Sequence, residues 1–281
     1  MAQTTEIAPG IRNFYKKYFG GLGLNRSVHA LIGFLVDLYA SALGFSFPAK
    51  FNWEWKLEML TNKYEAETLS LFKKIITPGM VVIDIGAHIG FFSRIFSSLV
   101  GNSGIVHCFE ADLDNFALLH KNTQGRGNVR LHKVAVSDHV GNIDFYHLDN
   151  STGCHSVVDP GSASTKITVD ATTLDTLIET GVISEVELIK IDIEGGEPFA
   201  FKGMEKLLKN TPDIKLVTEF NEKSLADGGT TAKAFFDQIR SYGFKISFIT
   251  NNGTVPIDTI PASERSRYYS RTGYVNLYCE K

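Results

Sequence analysis

One uninterrupted segment of the chain has the pattern of a strand, a glycine-containing turn and a helix. The apolar run Val81–Ile85 predicts a buried strand, and Phe92–Leu99 has the periodicity of an amphipathic helix. Between them, Gly86 and Gly90 let the backbone turn sharply and approach a ligand closely. The free amides of the first helical turn then face that ligand. The segment therefore predicts a nucleotide-binding corner of an α/β fold.

The spacing of the glycines separates two cofactor classes. The turn has the pattern Asp84-x-Gly86-x-x-x-Gly90 and lacks the Gly-x-Gly-x-x-Gly pattern of dinucleotide-binding folds. We therefore expect S-adenosylmethionine rather than NAD as the ligand. Because short glycine motifs also arise by chance, the alternative is that the two glycines only end a strand.

The composition is that of an ordinary globular enzyme. Apolar residues make up 43% and charged residues 21% of the 281 residues, and the net charge is −3 without a long basic run, so nothing favours a nucleic-acid partner. Three widely separated cysteines, Cys108, Cys154 and Cys279, argue against a disulfide framework and a structural zinc site. Since the N-terminus also lacks the pattern of a secretory signal, we expect a cytoplasmic protein.

The first sixty residues differ from the rest of the chain. Within them, Val28–Phe47 is mostly apolar but contains Asp37, whose insertion into a bilayer would cost about 2.5–3.5 kcal/mol. We predict a helix that packs on the domain or forms a homodimer contact. A helix lying on a membrane surface is the alternative, and a membrane-spanning helix ranks third. We interpret residues 1–60 as an N-terminal helical cap and residues 61–281 as the main domain.

From residue 64 onward, apolar strand patterns alternate with helical ones, which predicts a parallel sheet with helices on both faces. Strands are predicted at Val81–Ile85, Ile105–Phe109, Val129–Val136, Leu188–Ile193, Leu216–Glu219, Phe244–Thr250 and Gly273–Cys279, with an inserted pair at Ile143–His147 and Lys166–Val169. Helices are predicted at Glu65–Ile76, Phe92–Leu99, Leu113–Lys121, Leu174–Glu179, Phe199–Leu208 and Thr231–Tyr242.

Polar residues follow the predicted strands, at the edge of the sheet where open α/β folds bind ligands. Glu110 comes twenty residues after Gly90, where an acid can accept hydrogen bonds from both ribose hydroxyls. Val136, Ser137 and Asp138 end the third strand, where we expect the adenine. The alternatives are a solvated acid at a helix N-terminus for Glu110 and a simple turn capped by Asp138.

Four acids lie at the ends of the fourth and fifth predicted strands: Asp192, Glu194, Glu197 and Glu219. Crowded carboxylates raise one another's pKa or bind a cation, and one of them can act as a general base. We select Asp192 first and Glu219 second as catalytic residues. His155 in a polar loop is a third candidate, since histidine titrates near neutral pH; a plain surface histidine is the alternative.

Several short motifs follow one another in a fixed order: Tyr64-Glu65, Val82–Gly90, Phe109-Glu110-Ala111, Asn115, Asn122, Ala135–Asp138, Thr173-Leu174-Asp175, Lys190–Gly195 and Glu219-Phe220. Together they resemble the FkbM family of S-adenosylmethionine-dependent methyltransferases. The resemblance runs from about Tyr64 to Asn221 and does not cover residues 1–60 or the C-terminal tail.

The resemblance implies a class I methyltransferase fold, which is a Rossmann-like, seven-stranded, mostly parallel sheet with an antiparallel last strand. The N-terminal helical extension would precede this methyltransferase domain. It also implies O-methylation of a small-molecule hydroxyl, as in a sugar, a glycolipid or a polyketide-type natural product. Because the family has varied acceptors, the resemblance does not identify the substrate.

The resemblance also implies site residues. Tyr64-Glu65 would lie near the methionine end or the acceptor, and His88 departs from the asparagine often found at its position. The full set assigned to the cofactor is Glu65, Asp84, Gly86, His88, Gly90, Phe91, Ser93, Glu110, Ala111, Asn115, Val136, Ser137, Asp138 and Asp192.

The expected reaction is an in-line methyl transfer in which a carboxylate or His155 takes the proton of the acceptor hydroxyl. We favour a mechanism without a metal; a divalent cation held by Asp192 and Glu219 is the alternative. Two rival functions are an NAD(P)-dependent oxidoreductase, which would share the strand, turn and helix, and a non-catalytic scaffold that binds an adenosyl ligand.

Overall fold

The computed structural model describes residues 26–148, 156–159, 164–270 and 273–281. The chain divides into two compact units, Met1–Ala66 and Glu67–Lys281. The expected boundary after residue 60, and the role of the first unit as a cap, stay predictions. None of the described helices is both long and apolar enough to cross a membrane.

The first unit contains two helices within its described residues, α1 (Arg26–Ala42) and α2 (Trp53–Leu60). They are joined by an ion pair in which Lys56 Nζ lies 2.6 Å from Asp37 Oδ1. The acid that interrupts the apolar segment is thus paired inside the unit. The predicted helix in this region is therefore present.

The second unit is an α/β domain. Its strands are β1 (Val81–Ile85), β2 (Ile105–Phe109), β3 (Val129–His132), β4 (Ala135–Val136), β5 (Gly141–Leu148), β6 (Ser164–Thr172), β7 (Leu188–Ile191), β8 (Lys215–Asn221), β9 (Lys245–Thr250), β10 (Gly253–Pro256) and β11 (Tyr274–Glu280). Its helices are α3 (Ala66–Ile75, which begins at the boundary), α4 (Phe91–Val100), α5 (Leu113–Asn122), α6 (Leu174–Glu179), α7 (Glu197–Lys202), α8 (Glu205–Asn210), α9 (Glu222–Asp227) and α10 (Ala232–Ser241), with 3-10 turns at Ile257–Thr259 and Ala262–Tyr268.

Among the described residues, the main sheet has the strand order β10-β9-β11-β8-β7-β1-β2-β3. The run from β8 to β3 is parallel, whereas β11 is antiparallel to both β8 and β9. This arrangement confirms the class I methyltransferase fold with its antiparallel last strand. One strand beyond the predicted seven, β10, pairs with β9 at the edge of the sheet.

The prediction of a single third strand over Val129–Val136 is wrong. β3 ends at His132, and the chain then leaves the main sheet, so that Ala135 and Val136 pair with Ala171 and Thr172 in a second sheet of order β4-β6-β5. An apolar, extended sequence indicates a strand but does not determine its pairing partner. The inserted pair is confirmed as β5 and β6, both longer than predicted.

The predicted helix Phe199–Leu208 is also wrong as one helix, because the structure divides it into α7 and α8 at Gly203. A side chain at this position would place its Cβ only 1.8 Å from the Ser137 carbonyl oxygen. The helix therefore ends where the chain packs closely against the residue after β4.

The central strands are buried on both faces, as their continuous apolar sequences predict. In β7, Leu188, Ile189 and Ile191 are at most 1% exposed. Lys190 is the exception, since it is a charged residue in the middle of this strand and is only 4% exposed. A lysine in that position requires an ionic or hydrogen-bonding partner, and its partners lie at the candidate site.

Candidate active site

The glycine turn after β1 lies against the end of β7. Gly86 has a φ of 75°, and a Cβ at this position would be 1.9 Å from the carbonyl oxygen of Asp192. Gly90, with a φ of 86°, begins α4, and its Cβ would be 2.9 Å from Leu119 Cδ1. Glycine is thus required here both for the left-handed backbone and for the close approach of two strand ends.

Glu110, the residue after β2, holds the turn in place. Its Oε2 accepts a hydrogen bond from the His88 amide and its Oε1 accepts one from the Asp112 amide, each at 2.8 Å. Burial raises the pKa of Glu110 to about 7, although both hydrogen bonds favour the ionised form. Each carboxylate oxygen still has acceptor capacity for a ligand hydroxyl.

A buried ionic chain lies beneath the turn. Ser93 Oγ donates a hydrogen bond of 2.6 Å to Asp84 Oδ2, while Lys190 Nζ lies 3.9 Å from Asp84 Oδ1 and 3.0 Å from Asp192 Oδ2. The ammonium also lies 5.0 Å from the centre of the Phe92 ring. Lys190 therefore links the end of β1 to the end of β7.

Sequence reasoning did not select Lys190 as a functional residue. The signal was present, because a lysine inside an otherwise apolar strand must find buried partners. Asp84 and Ser93 were assigned to the cofactor, and the structure places both in the fully buried layer behind the turn. Their contact with the cofactor stays a prediction.

Three carboxyl groups meet at the ends of β7 and β8. In the described residues, Asp192, Glu194 and Glu219 each offer an oxygen that lies within 4.8 Å of the others. Asp192 and Glu219 are hydrogen-bonded to each other. The structure thus brings together the two acids that the sequence selected first and second, and it adds Glu194.

These three groups do not titrate alike. Burial would raise the pKa of Asp192, but the charge and hydrogen bond of Lys190, together with a hydrogen bond from Glu219 and the charge of His88, lower the pKa overall. Burial, with the charge of Asp192 next in importance, raises the pKa of Glu219 well above its usual value and that of Glu194 to about 8. Within the cluster, Asp192 therefore favours its ionised form, whereas Glu219 and Glu194 favour their protonated forms.

The fourth acid of the motif, Glu197, supports the backbone of this cluster. Its carboxylate accepts hydrogen bonds from the amides of Ile193, at 3.1 Å, and Gly195, at 2.9 Å. These bonds enclose Glu194, whose φ of 54° is unusual for a residue with a side chain. Glu197 also begins α7, which has a proline in its first turn.

The remaining predicted residues lie in different surroundings. Val136, the last residue of β4, and Ser137 are buried, and Asp138 pairs with His139 at 2.8 Å. His155 lies outside the described residues. Assignments to the cofactor that likewise stay predictions are those of Glu65, in the first unit, and of Phe91, Ala111 and Asn115, around the starts of α4 and α5.

Comparison with known proteins places this site in a family. A model of the methyltransferase FkbM domain matches residues 84–246, which is more than half of the 281 residues and includes the turn and the carboxylate cluster. The chain belongs to the FkbM methyltransferase family. This confirms the resemblance seen in the sequence, and it decides against the oxidoreductase and the non-catalytic scaffold.

Two characterised relatives are similar at the sequence level. The chain is 27% identical over 202 residues to the 2-O-methyltransferase NoeI of Sinorhizobium fredii, covering 66% of this chain and 80% of that protein. It is 27% identical over 158 residues to the hexuronic acid methyltransferase AglP of Haloferax volcanii, covering 56% of this chain and 62% of that protein. Among solved structures, a precorrin-6y C5,15-methyltransferase from Geobacter metallireducens matches with a TM-score of 0.45 and 13% identity, over 77% of this chain and 87% of that one.

S-adenosylmethionine is the methyl donor of this methyltransferase family member. The residues present fit that cofactor on three observations. The glycine turn leaves no room for side chains at the strand end, Glu110 is fixed with spare acceptor capacity for hydroxyl groups, and Asp192, which packs against the turn and favours its ionised form, can attract a positively charged sulfonium. Asp84 Oδ1 is a further buried acceptor without a hydrogen bond in the described part of the chain.

Proposed function

We propose that this enzyme transfers a methyl group to a hydroxyl oxygen of a sugar or of a small molecule that carries one. The observation that carries the proposal is the cluster of Asp192, Glu194 and Glu219 beside the glycine turn. Sugars present several hydroxyl groups in a small space, and carboxylates are the side chains that accept hydrogen bonds from them and take a proton. The names of the two sequence relatives, a 2-O-methyltransferase and a hexuronic acid methyltransferase, support the same substrate class.

The residues divide the work between binding and proton transfer. Glu110 binds the ribose hydroxyls, the backbone of the glycine turn follows the cofactor, and Val136 to Asp138 hold the adenine. When bound, S-adenosylmethionine supplies an electrophilic methyl group on a sulfonium. The ionised Asp192 accepts the hydrogen bond of the acceptor hydroxyl and orients its oxygen. Glu194, whose pKa is raised to about 8, takes the proton in its ionised form as the new carbon–oxygen bond forms, so transfer should become faster as the pH approaches 8.

Two alternatives for activating the acceptor hydroxyl can be tested separately. His155 is the alternative base, and a divalent cation held by Asp192 and Glu219 is the alternative means of activating the hydroxyl. Lys190 Nζ lies 3.0 Å from Asp192 and already provides this carboxylate with a positive partner. We therefore propose a reaction that continues at an unchanged rate after chelation of divalent ions by EDTA.

The proposal extends to the cellular location, the class of acceptor and the domain organisation of the enzyme. Cys108 and Cys279 are buried free thiols among the described residues, which is consistent with the proposed cytoplasmic location. The acceptor is a small molecule rather than a nucleic acid. We propose that residues 1–60 form an N-terminal helical cap or extension and that residues 61–281 form the methyltransferase domain.

The test is an acceptor survey with methyl-labelled S-adenosylmethionine. Neutral hexoses, hexuronic acids and the 2-deoxy counterpart of each would be compared, since a 2-hydroxyl acceptor loses methylation in the deoxy sugar. At saturating donor, Asp192→Asn should abolish transfer to the best acceptor, whereas Glu205→Gln, on the exposed surface of α8, should leave transfer and donor binding unchanged. Methylation confined to non-sugar acceptors, or full activity in Asp192→Asn, would contradict the proposal.

A further inference from the structure

The outer face of α1 forms a continuous apolar stripe. Leu31, Phe34, Leu35 and Leu38 are spaced three or four residues apart, so they share one face of the helix. Their exposed fractions are 58%, 61%, 54% and 58%. A stripe of this kind differs from the scattered apolar residues of an ordinary surface and marks a place of interaction.

The opposite face of α1 is already used inside the first unit. Val36 and Ala40 are 7% and 3% exposed, and Asp37 is paired with Lys56. The stripe is therefore not the inner, packing surface of the helix. Exposed aromatic residues accompany it, namely Tyr39 at 47% and Trp55 at 41%. Tyrosine and tryptophan are the side chains that favour the boundary between lipid and water.

The charge pattern of the sequence favours one kind of partner for the stripe. Residues 7–36 contain four basic residues, Arg12, Lys16, Lys17 and Arg26, and no acid. The rest of the chain holds the other 24 basic residues and all 31 acids, a net charge of −7. In the sequence, positive charge is thus concentrated in the segment that leads into the apolar stripe, in a protein that is otherwise negative.

We propose that the first unit binds the surface of membranes that contain anionic lipids. α1 lies parallel to the bilayer, its apolar stripe enters the boundary between headgroups and acyl chains, and the basic residues before it contact the anionic headgroups. A second copy of the chain is the competing occupant of the stripe. It would bring an identical basic segment, so charge complementarity favours the membrane.

Vesicle binding of the full-length protein tests this proposal. Both tryptophans of the chain, Trp53 and Trp55, lie in the first unit, so their fluorescence reports on this unit specifically. Titration with vesicles of phosphatidylcholine and phosphatidylglycerol should shift the emission to shorter wavelength and carry the protein to the top of a flotation gradient. Vesicles of phosphatidylcholine alone should bind at least about tenfold more weakly, and high salt should weaken binding to the anionic vesicles.

Substitutions on the exposed stripe separate lipid binding from folding. The variant Phe34→Gln/Leu38→Gln should lower the partition coefficient at least about tenfold. Val182→Gln, which changes an apolar residue 52% exposed in the second unit, should have no effect. All variants should keep the donor affinity and thermal unfolding of the wild type, since the changed side chains face solvent.

Two results would overturn the proposal. One is a wild-type protein that neither floats with anionic vesicles nor changes its tryptophan emission. The other is a dimer, seen by light scattering without lipid, that dissociates in Phe34→Gln/Leu38→Gln, because the stripe would then be covered by a second copy. Equal binding to neutral and anionic vesicles would overturn the role of the basic residues.

Discussion

The two halves of the candidate site are built on different principles. Around the turn, Glu110 accepts hydrogen bonds from two backbone amides, and the glycines have a left-handed backbone with no space for a side chain. Around the ends of β7 and β8, three carboxyl groups are crowded together, and the Lys190 ammonium is paired with Asp192. The first half fixes geometry and suits a cofactor of constant shape. In the second half the carboxyl groups have different pKa values, so this half suits proton transfer.

The substitution with the largest expected effect disturbs both halves of the site, because it lies where the turn meets the end of β7. Gly86→Ala should lower the free energy of unfolding by more than about 3 kcal/mol and abolish donor binding, because its Cβ would meet a backbone oxygen of Asp192 that cannot move freely. Urea denaturation and calorimetric titration with S-adenosylmethionine measure the two effects.

Gly181→Ala is the matched control for this change. Gly181 has a similar φ of 72° but open space around its Cβ, so its substitution should cost only about 1–2 kcal/mol of backbone strain and leave donor binding intact. Equal losses in the two variants would mean that the close approach to Asp192 is unimportant.

Removing the Lys190 ammonium should impair proton transfer in the second half of the site and leave donor binding in the first half largely intact. Lys190→Met should lower kcat about 100-fold, because Asp192 without its positive partner gains a proton at neutral pH. The donor Kd should change less than about threefold, since Glu110 holds the turn, whereas Lys190 forms ion pairs with Asp84 and Asp192. Methyl transfer to the best sugar acceptor across a range of pH measures the effect.

Lys190→Arg provides the comparison, because it keeps the positive charge and should recover part of the activity. An unchanged kcat and an unchanged pH profile in the methionine variant would show that the cluster does not depend on this residue.

Substitution of Glu110 should weaken donor binding in the first half of the site and leave proton transfer in the second half largely intact. Glu110→Gln replaces one acceptor oxygen by a donor that faces a backbone amide, so the donor Kd should rise about 10- to 100-fold while kcat at saturating donor changes little. Calorimetric titration and saturation kinetics separate the two quantities.

Glu187→Gln is a suitable control for the loss of a carboxylate. Glu187 Oε2 accepts a hydrogen bond of 2.7 Å from the Val81 amide at the opposite edge of the sheet. This variant should lose stability without losing donor affinity. A weakened donor affinity in both variants would point to general destabilisation instead of a ribose contact.

The smallest expected effect concerns stability against pH. Burial raises the pKa of Glu194 to about 8 and those of Glu110 and Glu197 to about 7, so from about pH 5 to about pH 8 the folded protein binds more protons than the unfolded chain. Stability contributed by these groups is therefore present at low pH and is lost as the pH rises through 7 and 8.

Urea denaturation of the ligand-free protein across this interval measures the slope. Glu194→Gln should make the decline shallower by up to about one proton, and it should also flatten the rise of methyl transfer near pH 8. Stability that increases over the same interval would contradict the raised pKa values.

Local sequence was sufficient for much of this site. β1, the glycine turn and the start of α4 form one continuous segment, so their geometry follows from neighbouring residues and was predicted at the right positions. The same holds for Glu110 and for Asp192 with Glu219, because the carboxyl ends of parallel strands meet at one edge whatever the details of packing.

The tertiary structure decided what depends on residues distant in sequence. It separated β4 from β3 by giving Ala135 and Val136 different strand partners, and it brought Lys190 between Asp84 and Asp192. It also set which carboxyl group keeps its proton, since that depends on burial and on charges a few ångströms away. Hydrophobic periodicity and the positions of glycines can be read from neighbouring residues. Strand pairing and the pKa values of buried groups depend on segments that come together only in the folded protein.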